Sequence, residues 1–152
     1  MTTPKLGRVR IRILAVVVTL AFVGLPVVAS ASGSDVVLGK RGLTGSYGAG
    51  WGTPHPSLIY NGGVPSGKAW NLRWSNWGSA SAEGRGLTWL YQPHGGYYGK
   101  PGAIELRAYR LGRCVAGGAR AYTRLAVRVA IRPGGPLGHW YAWGGWHTTC
   151  HI

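Results

Sequence analysis

Arg120-Ala-Tyr-Thr-Arg-Leu-Ala-Val-Arg-Val-Ala-Ile-Arg132 is the stretch whose reading decides the fold. Ala121, Thr123, Leu125, Val127, Val129 and Ile131 fall on one side of a period of two. Arg120, Tyr122, Arg124, Ala126, Arg128, Ala130 and Arg132 fall on the other. Side chains of an extended chain alternate between faces, so the pattern predicts a half-buried strand. Arginines four apart would also line a helix, but Leu125, Val127, Val129 and Ile131 would then spread around its circumference, and β-branched residues favour a sheet.

The segments before it repeat the alternation. From Ala103 to Arg110, Ile104, Leu106 and Ala108 oppose Glu105, Arg107 and Tyr109. From Ala69 to Trp77, Trp70, Leu72 and Trp74 oppose Asn71, Arg73 and Ser75. Between these two lies Trp74-Ser-Asn-Trp77-Gly78-Ser-Ala80-Ser-Ala82-Glu-Gly84-Arg-Gly86, which reads as a hairpin: Asn76 to Ser79 supply the turn, and Ala80, Ala82, Gly84, Gly86 and Thr88 share one face. Glycine weakens a strand, so Gly84 and Gly86 imply room for large neighbours, most simply the indoles of Trp70 and Trp74.

Pro133-Gly-Gly-Pro136 ends the Arg-bearing strand, and His139 to Trp146 form a last aromatic segment. No stretch combines helix caps with apolar spacing of three and four. The class is therefore all-β, a small antiparallel sandwich or partly closed barrel of about five or six strands.

The N-terminus carries Lys5, Arg8, Arg10 and Arg12, then an apolar run from Ile13 to Val28, then Ala29-Ser30-Ala31. These are the three parts of a signal peptide over residues 1–31, cleaved after Ala31. Gly24 and Pro26 interrupt a run already short of the ~20 residues of a membrane span, so no transmembrane segment is expected after cleavage and the mature chain is expected to be secreted, with wall association open. Residues 32–67 are rich in Gly, Pro and Ser, with Leu58-Ile59-Tyr60 as a short strand; Tyr47, Trp51 and Tyr60 argue for partial order. Residues 68–152 form the main β domain.

Cys114 and Cys150 are the only cysteines. Outside the cell they are expected to form one disulfide, closing a loop of about 37 residues. His147 and His151 flank Cys150 with a spacing of four, but in a Trp/Gly-rich tail they read as structural or solvent-facing residues rather than metal ligands. No cofactor motif is present.

From Ser32 onward there are thirteen Lys or Arg, ten of them Arg, against Asp35, Glu83 and Glu105. So lopsided a charge attracts polyanions: nucleic acid, anionic lipid or wall polymer. The row Arg120, Arg124, Arg128 and Arg132, about 13 Å apart along a strand, with Arg107 beside it, is the sharpest binding candidate. No nucleic-acid motif accompanies it, so such binding would be sequence-blind and salt-sensitive. Every large aromatic of the mature chain is Trp or Tyr, side chains that carry a polar handle and suit half-wet sites. Tyr97, Tyr98, Tyr141 and Trp143, in Gly-rich or terminal segments, are the aromatic binding candidates.

Catalysis finds less support. Glycoside hydrolysis needs two carboxyl groups, for which only Glu83 and Glu105 are suited, each beside an arginine, Arg85 or Arg107. A ribonuclease-like Glu, Arg and His set is available in composition, with His94 or His139, but without a motif. No nucleophile elbow appears.

Three segments together carry a resemblance: Trp51-Gly-Thr-Pro-His55-Pro with Asn61-Gly-Gly-Val-Pro-Ser-Gly67, the Trp-x-x-Trp-Gly hairpin with its Ala/Gly-alternating strand, and Gly118-Ala-Arg-Ala-Tyr122-Thr-Arg-Leu125. They resemble small exported proteins of actinobacteria of uncharacterised function. The resemblance implies export and a β fold and brings no catalytic residues with it. The resulting expectation is an exported basic β-domain that binds anionic envelope or extracellular material. The alternatives are a small hydrolase using Glu83 and Glu105, or a secreted protein-binding module of inhibitor or toxin type.

Overall fold

In the computed structural model, residues 36–42, 48–145 and 147–151 are described; the signal peptide, Tyr47 and Trp146 lie outside them. Seven strands form one curled sheet: β1 (Val36–Leu38), β2 (Leu58–Tyr60), β3 (Lys68–Ser75), β4 (Ser81–Thr88), β5 (Gly102–Arg113), β6 (Arg120–Val129) and β7 (Tyr141–Ala142). Their order is β1-β6-β5-β4-β3-β2, and β7 shares the outer edge of β6 with β1. Among the described residues there is no α-helix, only short 3-10 turns at Pro65–Gly67 and Trp143–Gly145.

The all-β class is as expected, with one parallel edge. Neighbouring strands from β2 through β6 pair antiparallel, whereas Val36, Val37 and Leu38 run parallel to Arg120, Ala121 and Tyr122. The 32–67 segment is therefore no appendage, because its two strands form the two ends of the sheet path. The turn 48–53 reaches towards both: Tyr60 N donates to Ala49 O, while Leu38 exchanges backbone bonds with Gly52 and Thr53. Trp51, fully buried, sits in this closure, and the result is a half-barrel with one concave core.

Within that core Ile104, Leu106 and Ala108 of β5 and Leu125 and Val127 of β6 point inward, as their alternation requires. Two irregularities change the reading elsewhere. In β3, Asn71 takes a positive φ of 54° and the register shifts by one between Trp70 and Arg73, the signature of a bulge. Ala69, Leu72 and Trp74 consequently pack towards the core, and Trp70 turns instead to Trp89, with ring centroids 5.7 Å apart.

Trp74 does lie over Gly84, as expected, but Trp70 does not lie over Gly86. A Cβ on Gly86 would meet the Trp70 carbonyl oxygen at 2.6 Å and Leu72 Cδ2 at 2.8 Å, so that glycine makes room for the bulge itself.

The second irregularity is Arg110, with φ 60°. The β5–β6 ladder keeps its register on both sides but omits the Arg110–Thr123 rung, where the Thr123 hydroxyl donates to Arg110 O. Beyond this point strict alternation fails, and Ala121 and Tyr122 are both buried. Tyr122, assigned by alternation to the arginine face, is fully buried, and Thr123, assigned to the core, is not. The Tyr122 hydroxyl accepts from Gly78 N at 2.8 Å and donates to Ser79 O at 2.9 Å, fastening the β3–β4 turn. Its ring meets Trp77 edge-on at 5.1 Å, and Trp77 donates its Nε1 proton to Val36 O.

The disulfide joins Cys114, just after β5, to Cys150. Thr149 beside it donates its hydroxyl proton to Tyr122 O at 2.7 Å, so the C-terminal segment is laid across the hairpin end. No helix among the described residues is long and apolar enough to cross a membrane.

Candidate functional site

The β5–β6 hairpin carries a different surface at each end. At the end formed by Ile104 and Val127–Val129 the barrel core stops short, leaving a cavity of about 640 Å³. Ile104, Val127 and Val129 line its apolar interior; the loop after β2 and the chain from Gly138 to Gly144 supply walls. Trp143 Nε1 donates to Asn61 Oδ1 at 2.6 Å, bridging two of those walls. Thr88, buried in the lining, directs its hydroxyl to Lys68 O. These two buried polar groups are thus already paired, as buried polar groups must be.

The mouth is apolar as well. Six large apolar or aromatic side chains of the described residues are strongly exposed, and four of them line this cavity: Val64 (50%), Tyr91 (54%), Ile131 (66%) and Tyr141 (52%). Ile131, expected in the core, lies past the end of β6. Ile131 N is held by Pro136 O in the Pro/Gly turn. A neighbouring hollow of about 300 Å³ is lined by Tyr98, Gly99, Lys100, Arg132 and Pro133.

Three of the aromatic candidates cluster here. Trp143 is buried and structural, Tyr141 is exposed at the mouth, and Tyr97 reaches Ser66 Oγ at 3.5 Å. Tyr97 stacks against Tyr91 at 4.4 Å, and the hydrogen bond between their phenols pushes Tyr91 above its ordinary range. Tyr141, half-exposed at the mouth, is raised by desolvation of the part that the cavity wall covers. Tyr98 belongs to the neighbouring hollow, tied by its backbone N–H to Leu90 O.

The proposed arginine row is divided by the structure. Arg107 and Arg128 lie on the outer sheet face, in an ion-pair lattice: Arg128 donates twice to Glu105 (2.9 and 2.6 Å), Arg85 approaches Glu105 at 3.2 Å, and Arg107 approaches Glu83 at 3.7 Å. Trp140 lies across both Arg107 and Arg128, each guanidinium 4.8 Å from its ring. Arg132 stands beyond the strand, and Arg120 lies past the break in alternation at Tyr122. Arg124 keeps the outward position expected of it, opposite Tyr109, as Arg128 does opposite Glu105.

At the far end of the hairpin the arginines gather differently. Arg113 is directly opposite Arg120 on the ladder, with Arg110 and Arg124 within about 14 Å along it. Among the described residues no ion pair reaches any of these four; the Arg113 guanidinium donates only to Gly118 O. Spacing by four along one strand hid this cluster, because it is assembled across two strands.

Glu83 and Glu105 are diagonal neighbours on β4 and β5, about 7–8 Å apart by sheet geometry and somewhat closer at Cβ. Both sit on the outer face, engaged by arginines, and neither lines the cavity. Among the described residues no group of three or more His, Cys, Asp or Glu is placed to hold a metal ion. Comparison with known proteins gave no match: no family model, no curated protein and no solved structure is similar to the chain at a significant level.

Proposed function

We propose that the mature chain is an exported, non-enzymatic basic β-domain that binds anionic material of the cell envelope or extracellular space. In this reading it is akin to the small actinobacterial exported proteins its Trp-x-x-Trp-Gly hairpin resembles. The observation that carries it is Arg113 facing Arg120 across the ladder, flanked by Arg110 and Arg124, with no described carboxylate in ion-pair contact. Like charges directly opposite one another cost stability, so their retention at one end of a hairpin favours a partner that supplies the missing negative charge. Arginine presents a planar fork suited to phosphate and carboxylate, and several such forks within a short span engage successive anions of a polymer.

The ion-paired state of Glu83 and Glu105 on an outward face, away from the cavity, supports binding over hydrolysis. The test is retention of the purified mature protein on anionic envelope fractions at low and high salt, beside Arg113→Thr/Arg120→Thr. Retention at low salt, release at high salt and weakened retention of the variant are expected. Equal retention of both proteins, or none by the wild type, overturns the reading.

A further inference from the structure

The cavity at the other end of the β5–β6 hairpin has a different chemistry and points to a second ligand. Its volume, about 640 Å³, lies in the range of small-molecule sites, and its interior is built from Ile104, Val127 and Val129. An apolar opening on a small domain is costly unless something fills it, and here four of the six strongly exposed large apolar or aromatic side chains stand around one mouth. Of the hydrogen-bonding side chains in its walls, the two that are buried, Thr88 Oγ1 and Trp143 Nε1, are already committed to Lys68 O and Asn61 Oδ1, while Ser66, Tyr91, His139 and Tyr141 are less buried. Against Ile104, Val127 and Val129 a chain without polar atoms is favoured over a sugar or peptide, whose donors and acceptors would find no partner on those three side chains.

Charge at the mouth selects the other end of the ligand. No carboxylate lines the cavity or the neighbouring hollow, whereas Lys100 and Arg132 line that hollow and His139 lines the cavity. Ile131 belongs to one depression and the next residue, Arg132, to the other, so an apolar slot and a cationic shelf are adjacent.

We propose that this cavity binds a single-chain amphiphile with an anionic head, its alkyl chain against Ile104, Val127 and Val129 and its head at Arg132 and Lys100. The site goes beyond the polyanion surface described above, since Ile104 and Arg113 lie at opposite ends of β5, about 30 Å apart. The two proposals fail separately.

The test is calorimetric titration of the mature protein with dodecanoate, dodecanol and acetate, and co-sedimentation with phosphatidylglycerol vesicles. Dodecanoate is expected to bind, dodecanol about tenfold more weakly, equivalent to about 1.4 kcal/mol, and acetate not at all. Uptake of dodecanoate without vesicle binding identifies a free long-chain anion as the ligand. Dodecanoate uptake together with co-sedimentation that Ile131→Glu abolishes and Arg113→Thr/Arg120→Thr does not identifies a membrane lipid as the source of the chain. Either supports the proposal, whereas co-sedimentation unchanged in Ile131→Glu belongs to the arginine cluster and counts against it.

Ile131→Glu and Val64→Glu, at exposed positions that the fold tolerates, are expected to abolish binding. Arg132→Glu is expected to weaken dodecanoate at least tenfold while sparing dodecanol, and Arg113→Thr/Arg120→Thr to change neither. Absence of dodecanoate binding, equal affinity for dodecanol, or full binding by both Ile131→Glu and Arg132→Glu overturns the proposal. So does a concentration-dependent dimer that Ile131→Glu dissociates, which makes a second copy the occupant.

Discussion

The six-membered ring of Trp74 occupies the space where a side chain on Gly84 would begin: a Cβ there would stand 2.9 Å from Cζ3 and 3.0 Å from Cε3. The indole has no retreat, because its Nε1 donates to Pro56 O at 2.8 Å and Trp77 abuts it edge-on at 4.8 Å. Gly84→Ala is therefore expected to cost about 1–3 kcal/mol by overpacking, read as a lower urea midpoint. Gly99→Ala, where a Cβ meets nothing within 4 Å, is the control and should leave the midpoint unchanged or slightly raised.

Tyr122 predicts a loss of stability in alkali. Burial raises its phenol above the ordinary value near 10, against smaller opposing effects of Gly78 N–H and the Arg120 charge. As pH rises through the unfolded value, the unfolded chain gives up this proton first, so the folded state binds more protons and stability falls with pH. The contribution is complete below about pH 10 and declines above it. Tyr122→Phe should flatten this alkaline limb in urea titrations while costing about 1–2 kcal/mol at neutral pH through two lost hydrogen bonds. An unchanged limb would exclude Tyr122 as its source.

Replacing Cys114 and Cys150 together by Ser should lower stability by on the order of 3–4 kcal/mol, since the bridge closes a loop of about 37 residues in the unfolded chain. The same loss should appear in wild type on adding a reductant, measured by thermal melts. Equal melting of the oxidised and reduced forms would refute it.

Arg113→Thr should raise stability by a few tenths to about 1 kcal/mol, because it removes a like-charge pair facing across the ladder. If the cluster is kept for an anionic partner, the same substitution should lower retention on a polyanion column and reduce its salt dependence by about one counterion. A gain in stability with no loss of retention would separate the cluster from binding.

Alternation made the strands legible and missed the places where the backbone departs from it. β4, β5 and most of β6 are as their period of two implies, because one buried face enforces the pattern. Alternation misplaces Trp70 and Tyr122 because Asn71 and Arg110 adopt positive φ, and neither residue announces this as a glycine would. The parallel edge escaped notice because a three-residue strand carries too little pattern to name its partner. Of the candidate surfaces, Tyr141 and Trp143 were visible as aromatic residues near a chain end, but Val64 and Ile131 became neighbours only through the curl of the sheet. Pro133, two residues after Ile131, was the available sign that the strand, and with it the core position, ends before that isoleucine.

The parallel pairing of β1 with β6 also imposes a timetable. A chain made from its N-terminus presents Val36–Leu38 long before Arg120–Tyr122 exist to receive them, and distant pairings are slow to close. The hairpins from β3 to β6 can form as they emerge, each from neighbours in sequence. The first strand can take its place only once β6 is there to receive it, and Cys150, later still, ties the chain end to Cys114. The earliest residues of the sheet are thus among the last to be seated, and until then Tyr122 and Trp77 wait without the backbone that covers them.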